Sequence, residues 1–220
     1  MTTPFRAADI ARHFLPQRVH YWYTRCKLPL DTLYVQVAQA LSGRAAPLLD
    51  LGCGIGLLAQ TLRAQGFAAP YLGVDNDASK VESARAAATR AGLADVRFMT
   101  LDLSRTALPE HEGSIAMLDV LQFMPEDDGR RLLASVVARV GADARLVIRS
   151  CLAREGARTR LTAAVDRGSR RIGWMNASPH WYPSRTDLDA LFVQHGLVAQ
   201  FTPPTGPMPF NNWLIVAQRR

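Results

Sequence analysis

At 220 residues and 24.2 kDa, with 48% hydrophobic and 20% charged residues, the chain has the composition of an ordinary folded protein, which excludes a wholly disordered one. Its formal charge of +7 rests on arginine, since Lys27 and Lys80 are its only lysines, and no apolar stretch approaches the ~20 residues of a membrane-spanning helix. Cys26, Cys53 and Cys151 are too scattered for a disulfide framework or a metal site, and Arg6, Asp9 and Arg12 interrupt any signal-peptide core, so a cytoplasmic protein without a metal is expected.

Along the chain, residues 6 to 42 read as helical, with breaks near Pro16 and Pro29. LLDLG, at about 47–51, is a short apolar run ending in glycine and suits a buried strand. A helix follows from about 55 to 65, ended by Gly66. YLGVD (71–75) is a second strand, and Asp77 caps an alanine-rich helix that runs to Arg90 and stops at Gly92. VRFMTLD gives a third strand and SIAMLDVL (114–121) a fourth. Pro125 with Glu126, Asp127 and Asp128 opens the next helix, where acids meet the positive end of its dipole. ARLVIRS (144–150) is a fifth strand. Ser184 and Asp187 resemble a capping box for a helix ending at Gly196, and LVAQFT and NWLIVAQ close the chain as two strands around a proline-rich loop. Five alternations of strand and helix imply an α/β fold, a mostly parallel sheet with helices on both faces. The last two strands have no helix between them, so at least one is expected to be antiparallel. Ligands of such sheets sit beyond the carboxyl ends of the strands.

Asp50-Leu-Gly52-Cys53-Gly54-Ile-Gly56 joins the first strand to the first helix of that sheet, and its glycines let the backbone turn sharply against a ligand. A dinucleotide fingerprint needs a third glycine where Leu57 stands. Asp50, just before the turn, would repel a pyrophosphate and attract a cationic amine. The loop therefore suits a nucleoside bearing positive charge and no phosphate, and S-adenosylmethionine is such a molecule. Asp75 ends the second strand, where a carboxylate can accept from both ribose hydroxyls. Asp102 and Asp119 end the third and fourth, and Asp102 could accept from an adenine amino group.

LLDLGCGIG, YLGVDND, FMTLDLS and IAMLDVLQFMP, in this order and spacing, resemble the first four motifs of class I S-adenosylmethionine-dependent methyltransferases. The resemblance covers residues 46 to 149 and, more loosely, the terminal strand pair. It implies a Rossmann-like seven-stranded sheet whose last strand is antiparallel, with residues 1–45 as a helical cap and 46–220 as the methyltransferase domain. It also implies Asp50, Gly52, Cys53 and Gly54 at the methionine end of the cofactor, Asp75 with Asn76 at the ribose, Asp102 with Leu103 at the adenine, and Asp119 near the methyl group. Gln122 departs from it, standing where many small-molecule members carry histidine.

Methyl transfer from a sulfonium needs the acceptor held in line and, for some acceptors, a base. Two aromatic segments could supply the lid: His20 to Lys27, and Trp174 to Tyr182. His180 and Tyr21 are the candidate bases, and Arg25 could pair with the cofactor's carboxylate. The amino-terminal segment is also loosely similar to methyltransferases encoded with aryl polyene or fatty-acid-like pathways. Eight arginines between Arg145 and Arg171 face two acids there, either as a solvated helical face or as a docking surface for an acidic carrier protein, an anionic membrane or a nucleic acid. Three functions follow. The first is methyl transfer to an oxygen or carbon of a hydrophobic or aromatic small molecule, free or carrier-bound. The second is RNA or protein methylation through the arginine-rich region; Leu121-Gln-Phe-Met after the fourth strand, in place of an Asn-Pro-Pro-aromatic or Asp-Pro-Pro-aromatic sequence, weighs against base-directed N-methylation. The third is cofactor binding without catalysis.

Overall fold

The computed structural model describes residues 5–153, 180–204 and 212–220. Their elements run α1 (Ala7–Arg12), α2 (Arg18–Leu30), α3 (Leu33–Leu41), β1 (Leu48–Leu51), α4 (Leu57–Ala64), β2 (Tyr71–Asp75), α5 (Ala78–Arg90), β3 (Val96–Thr100), β4 (Ser114–Leu118), α6 (Glu126–Ala138), β5 (Leu146–Cys151), α7 (Arg185–Gln194), β6 (Leu197–Thr202) and β7 (Asn212–Arg219). The seven strands form one sheet in the order β3-β2-β1-β4-β5-β7-β6. β1 to β5 pair in parallel, and β7 is antiparallel to both β5 and β6. The seventh strand is thus the reversed one, lying between β5 and β6 and antiparallel to both.

Alternation along each strand divides the core between two faces. Leu48, Tyr71, Ala116 and Val147 pack with α1 to α5, while Leu49, Val74, Ile115 and Ile148 pack with α6 and α7. The chain winds outward from β1 to β3, then returns to lay β4 against the other side of β1. That reversal opens a crevice at the carboxyl ends of β1 and β4.

Local capping follows the sequence. The Asp77 side chain accepts from the Ser79 and Lys80 amides at 3.0 and 3.2 Å, and Ser184 Oγ accepts from Asp187 N at 3.0 Å. The break expected near Pro29 falls just beyond it, at Asp31, and Pro29 itself lies inside α2. It falls in the last turn, where its missing N–H costs one bond and leaves little helix beyond to distort. β4 ends at Leu118, three residues early, because Asp119 takes a left-handed φ of 61°. Aspartate tolerates that region better than most residues, and the chain then enters one turn of 3-10 helix over Leu121–Phe123. β5 spans 146–151, where the sequence suggested 144–150. Among the described residues, no helix is long and apolar enough to cross a membrane, and no group of three His, Cys, Asp or Glu is placed to hold a metal ion.

Candidate active site

The glycine turn lies at the switch point between β1 and β4. Gly52, Gly54 and Gly56 all have positive φ, at 78°, 54° and 77°. Two of them are also closely packed. A Cβ on Gly52 would stand 2.4 Å from Val120 Cγ2, and one on Gly56 would stand 2.8 Å from the Phe98 ring. Nothing lies within 4 Å of a Cβ built on Gly54. The turn is therefore pinned at its two ends and open at its middle, the shape of a backbone cradle awaiting a ligand.

The cradle is tied to β2. Gly52 N and Cys53 N both donate to the Val74 carbonyl, at 2.8 and 2.9 Å. Asp75, 8% exposed, accepts from Gly54 N through Oδ2 at 2.8 Å and from Asp77 N through Oδ1 at 3.0 Å. One carboxylate thus fixes the open glycine and the start of α5 together, with further lone pairs on both oxygens available to a ligand. Asn76, beside it, is exposed.

Asp50 is 2% exposed and accepts a hydrogen bond from the Tyr71 hydroxyl. Burial pushes its carboxyl up to about 7; the Tyr71 bond opposes that rise and the nearby Asp75 charge adds to it. At neutral pH it is therefore poised between its charged and neutral forms, and a cation brought near would draw off its proton. Cys53 is also buried, and burial, with Asp50 and Asp75 close by, pushes its thiol far above the ordinary range. A thiol held protonated is a poor nucleophile. Cys53→Ala is expected to leave methyl transfer and cofactor affinity within about twofold of wild type, because the backbone bonds of the turn to Val74 stay in place, while the lost buried sulfur lowers stability by about 1 kcal/mol. Labelled-methyl turnover checks this, and loss of transfer with intact binding would give the thiol a chemical role.

Asp102 lies just past β3, where its Oδ1 accepts from Ser104 N and Oγ at 2.9 and 2.6 Å; those bonds hold its carboxyl below the usual range. Leu103 packs, partly buried, against the α6 face of the core. Asp119 is more constrained than its sequence position suggests. Both its oxygens accept from Arg149, Oδ1 from Nε at 2.8 Å and Oδ2 from Nη2, while its own amide donates to the Arg149 carbonyl at 2.9 Å. The third guanidinium nitrogen, Nη1, donates to Asp31 Oδ2 at 2.6 Å, and Lys27 Nζ reaches the same oxygen at 2.7 Å. An ionic chain thus runs from the end of β4 through β5 to the α2–α3 junction, and it fastens the amino-terminal helices over the carboxyl edge of the sheet.

Sequence reasoning counted Arg149 and Arg145 among the cations of an arginine-rich face, and the structure corrects both. Arg149 is 7% exposed and belongs to this network. Arg145 donates through Nη1 to the Ala40 carbonyl and through Nε to Gln218 Oε1 at 3.1 Å. The remaining six, Arg154, Arg158, Arg160, Arg167, Arg170 and Arg171, lie outside the described residues, as do residues 174–179 of the second aromatic segment. Trp181 of that segment packs on α6: a Cβ on Gly129 would stand 2.7 Å from its ring, and the Arg130 guanidinium lies 5.4 Å from the ring centroid.

Tyr21 and Arg25 both lie half-buried on α2, Tyr21 edge-on to Trp22 with centroids 5.1 Å apart, and Arg25 without a hydrogen bond or ion pair among the described residues. His180 is exposed, and its amide donates to the Gln122 carbonyl at 2.7 Å, which brings it beside the end of β4. Among the described residues, two buried side-chain atoms have no partner: Thr24 Oγ1 on α2 and Gln122 Oε1. Gln122 stood out in the sequence only as a departure from the histidine of related enzymes; its unsatisfied oxygen is a structural observation.

Residues 48–141 match the family model described as a methyltransferase domain. No curated protein matches the sequence at a significant level. Among solved structures, YcgJ from Bacillus subtilis is similar with a TM-score of 0.65 at 18% identity, over 85% of this chain and 98% of that one. The mitomycin 7-O-methyltransferase MmcR gives 0.64 at 23% identity over 98% of this chain, which spans 61% of MmcR. Magnesium protoporphyrin IX methyltransferase from Synechocystis PCC 6803, solved with bound S-adenosylhomocysteine, gives 0.63 at 16% identity over 100% of this chain and 90% of that one. The strand order and the pinned glycine turn at the switch point agree with that match over residues 48–141 and with the fold of these solved structures.

Proposed function

We propose that the chain moves a methyl group from S-adenosylmethionine to an oxygen or carbon of a hydrophobic or aromatic small molecule. The observation that carries this reading is the cradle at Gly54: open backbone at the switch point, flanked by the buried carboxyls of Asp50 and Asp75. Asp75 and Asn76 would hold the ribose, Asp102 and Leu103 the adenine. Gly52, Cys53 and Gly54 would border the methionine end, with Arg25 toward its carboxylate. The bound cofactor supplies a methyl group on a sulfonium. The protein's own work is then to orient the acceptor, keep water out and, where the acceptor must lose a proton, accept it at His180 or Tyr21. Asp119 would stand near the methyl group as one half of an ion pair, a role in shape and field. Residues 1–45 are the cap in this scheme, and α2 with Arg25 and Tyr21 is its inner wall. What supports a small acceptor is that MmcR and the Synechocystis enzyme are both named for small-molecule substrates.

Calorimetry with S-adenosylmethionine and S-adenosylhomocysteine, beside NAD as a control, tests the cofactor, and labelled-methyl transfer to a panel of hydroxylated aromatics tests the reaction. Asp50 adds a pH signature. Its raised carboxyl is largely protonated below about pH 7, so seating an ammonium beside it should release a proton. Affinity should rise between about pH 6 and 7.5, and Asp50→Asn should flatten that rise. Tight NAD binding without S-adenosylmethionine binding would overturn the proposal, and a flat wild-type profile would remove Asp50 from the ammonium.

A further inference from the structure

α2 crosses the carboxyl edge of the sheet. At its start, His20 Nδ1 lies 2.7 Å from Ser83 Oγ on α5; toward its end, Lys27 and the following Asp31 join Arg149 of β5. Thr24 and Leu28 form its buried side. At about 100° per residue, Arg18, Val19, Trp22, Cys26, Pro29 and Leu30 fall within one arc of about 120° on the opposite side. All six are exposed, Val19 at 73%, Trp22 at 60% and Leu30 at 68%. Five of the six are uncharged and largely apolar, the reverse of the polar outer face that a surface helix presents to water. Leu15, just before the helix, extends the patch at 43% exposure. Cations border it: Arg18 on its rim, Arg25 on one flank and Lys27 on the other.

We propose that this outer face of α2 lies in the surface of an anionic bilayer, so that the acceptor is drawn from the lipid phase beside the cofactor crevice. A helix with an apolar face, a tryptophan at headgroup depth and basic flanks whose stems reach back to the headgroups is built for that interface. Charge selects the occupant. The chain carries a net charge of +7, and a second copy laid face to face would set the exposed Arg18 near its own counterpart, whereas anionic headgroups neutralise it. Membrane docking stands on the α2 face alone; only the origin of the acceptor rests on the proposed methyl transfer.

The test is co-sedimentation of the full chain with vesicles of phosphatidylcholine alone and of phosphatidylcholine mixed with phosphatidylglycerol. Wild type should partition onto the mixed vesicles and weakly onto the neutral ones, with partition falling as salt is raised. Val19→Ser with Trp22→Ser should lower partition by about tenfold or more, given the apolar area withdrawn from the bilayer. Arg18→Glu should lower it at low salt and little at high salt. The serine variant should keep its thermal midpoint, since both side chains are largely exposed. Absent partition onto mixed vesicles, or partition undiminished by the serine pair, overturns the proposal. So does a dimer in analytical ultracentrifugation that the serine pair dissociates, which would assign the face to a second copy. Partition without S-adenosylmethionine binding would leave the docking standing and remove the methyltransferase reading.

Discussion

Arg149→Met is expected to destabilise the fold by about 3–5 kcal/mol, the cost of stripping a buried guanidinium from its partners. Asp119 and Asp31 would be left facing each other's charge with no cation between them but Lys27 at the outer end. Burial of Arg149 works against its charge, yet the two carboxylates outweigh that and hold it above the ordinary guanidinium range. Burial likewise acts to raise Asp31, but Arg149 and Lys27 overcome it and hold the carboxyl at about 2. A depressed carboxyl contributes stability that is complete above its unfolded pKa of about 3.8 and is lost as pH falls toward 2. Wild type should therefore lose stability over that acid window more steeply than Arg149→Met, whose Asp31 lacks its main cation. Denaturant melts at neutral and acid pH measure both effects. Equal midpoints for the two proteins would show the network to be inert. The expected loss concerns more than stability, because the network is what fastens the α2–α3 junction over the crevice; cofactor affinity should fall along with it.

The same network shows what the sequence could and could not disclose. The parallel core was legible because β1, β2 and β4 are apolar runs closed by a glycine or an acid, and because α5 and α7 carry side-chain caps at Asp77 and Ser184. The position of the glycine turn followed from that alternation, and so did the ends of the strands where Asp75 and Asp102 stand. Arg149 was misread because charge was summed over a stretch without regard to period. Within β5, LVIRSC, it is the single charged residue of a buried strand, an intrusion that demands a counter-charge nearby; Asp119, at the end of the neighbouring strand, is that partner. That signal was available. Asp31 was not, since it lies 118 residues from Arg149 and nothing local marks the contact. The exposed face of α2 was hidden for a different reason: its apolar residues have helical spacing, which reads as an inward face until burial shows which side meets the sheet. Asp50 combines both cases. Its place before the turn was plain, but its near-complete burial, which lifts it to about 7 against the opposing Tyr71 bond, is set by the packing around it.

Asp75→Ala is expected to weaken S-adenosylmethionine binding by about 1.5–3 kcal/mol, roughly 10- to 150-fold, the scale of hydrogen bonds to a charged group. Two losses combine in that figure. The ribose would lose a carboxylate acceptor, and the Gly54 amide, held at 2.8 Å by Oδ2, would lose the partner that keeps the open glycine in its left-handed turn. The Asp77 amide, held at 3.0 Å by Oδ1, would be freed as well and loosen the start of α5. Asp75→Asn separates the two contributions. Its single amide oxygen can replace one acceptor, while its NH2 group meets the other backbone N–H donor to donor. It should therefore keep part of the turn and lose most of the ribose contact, with affinity between those of wild type and Asp75→Ala. Calorimetry gives the affinities, and thermal melts without ligand show how much of the loss is the turn itself. If Asp75→Ala binds the cofactor as wild type does, the carboxylate is a structural clamp on the glycine turn and the ribose is held by other groups.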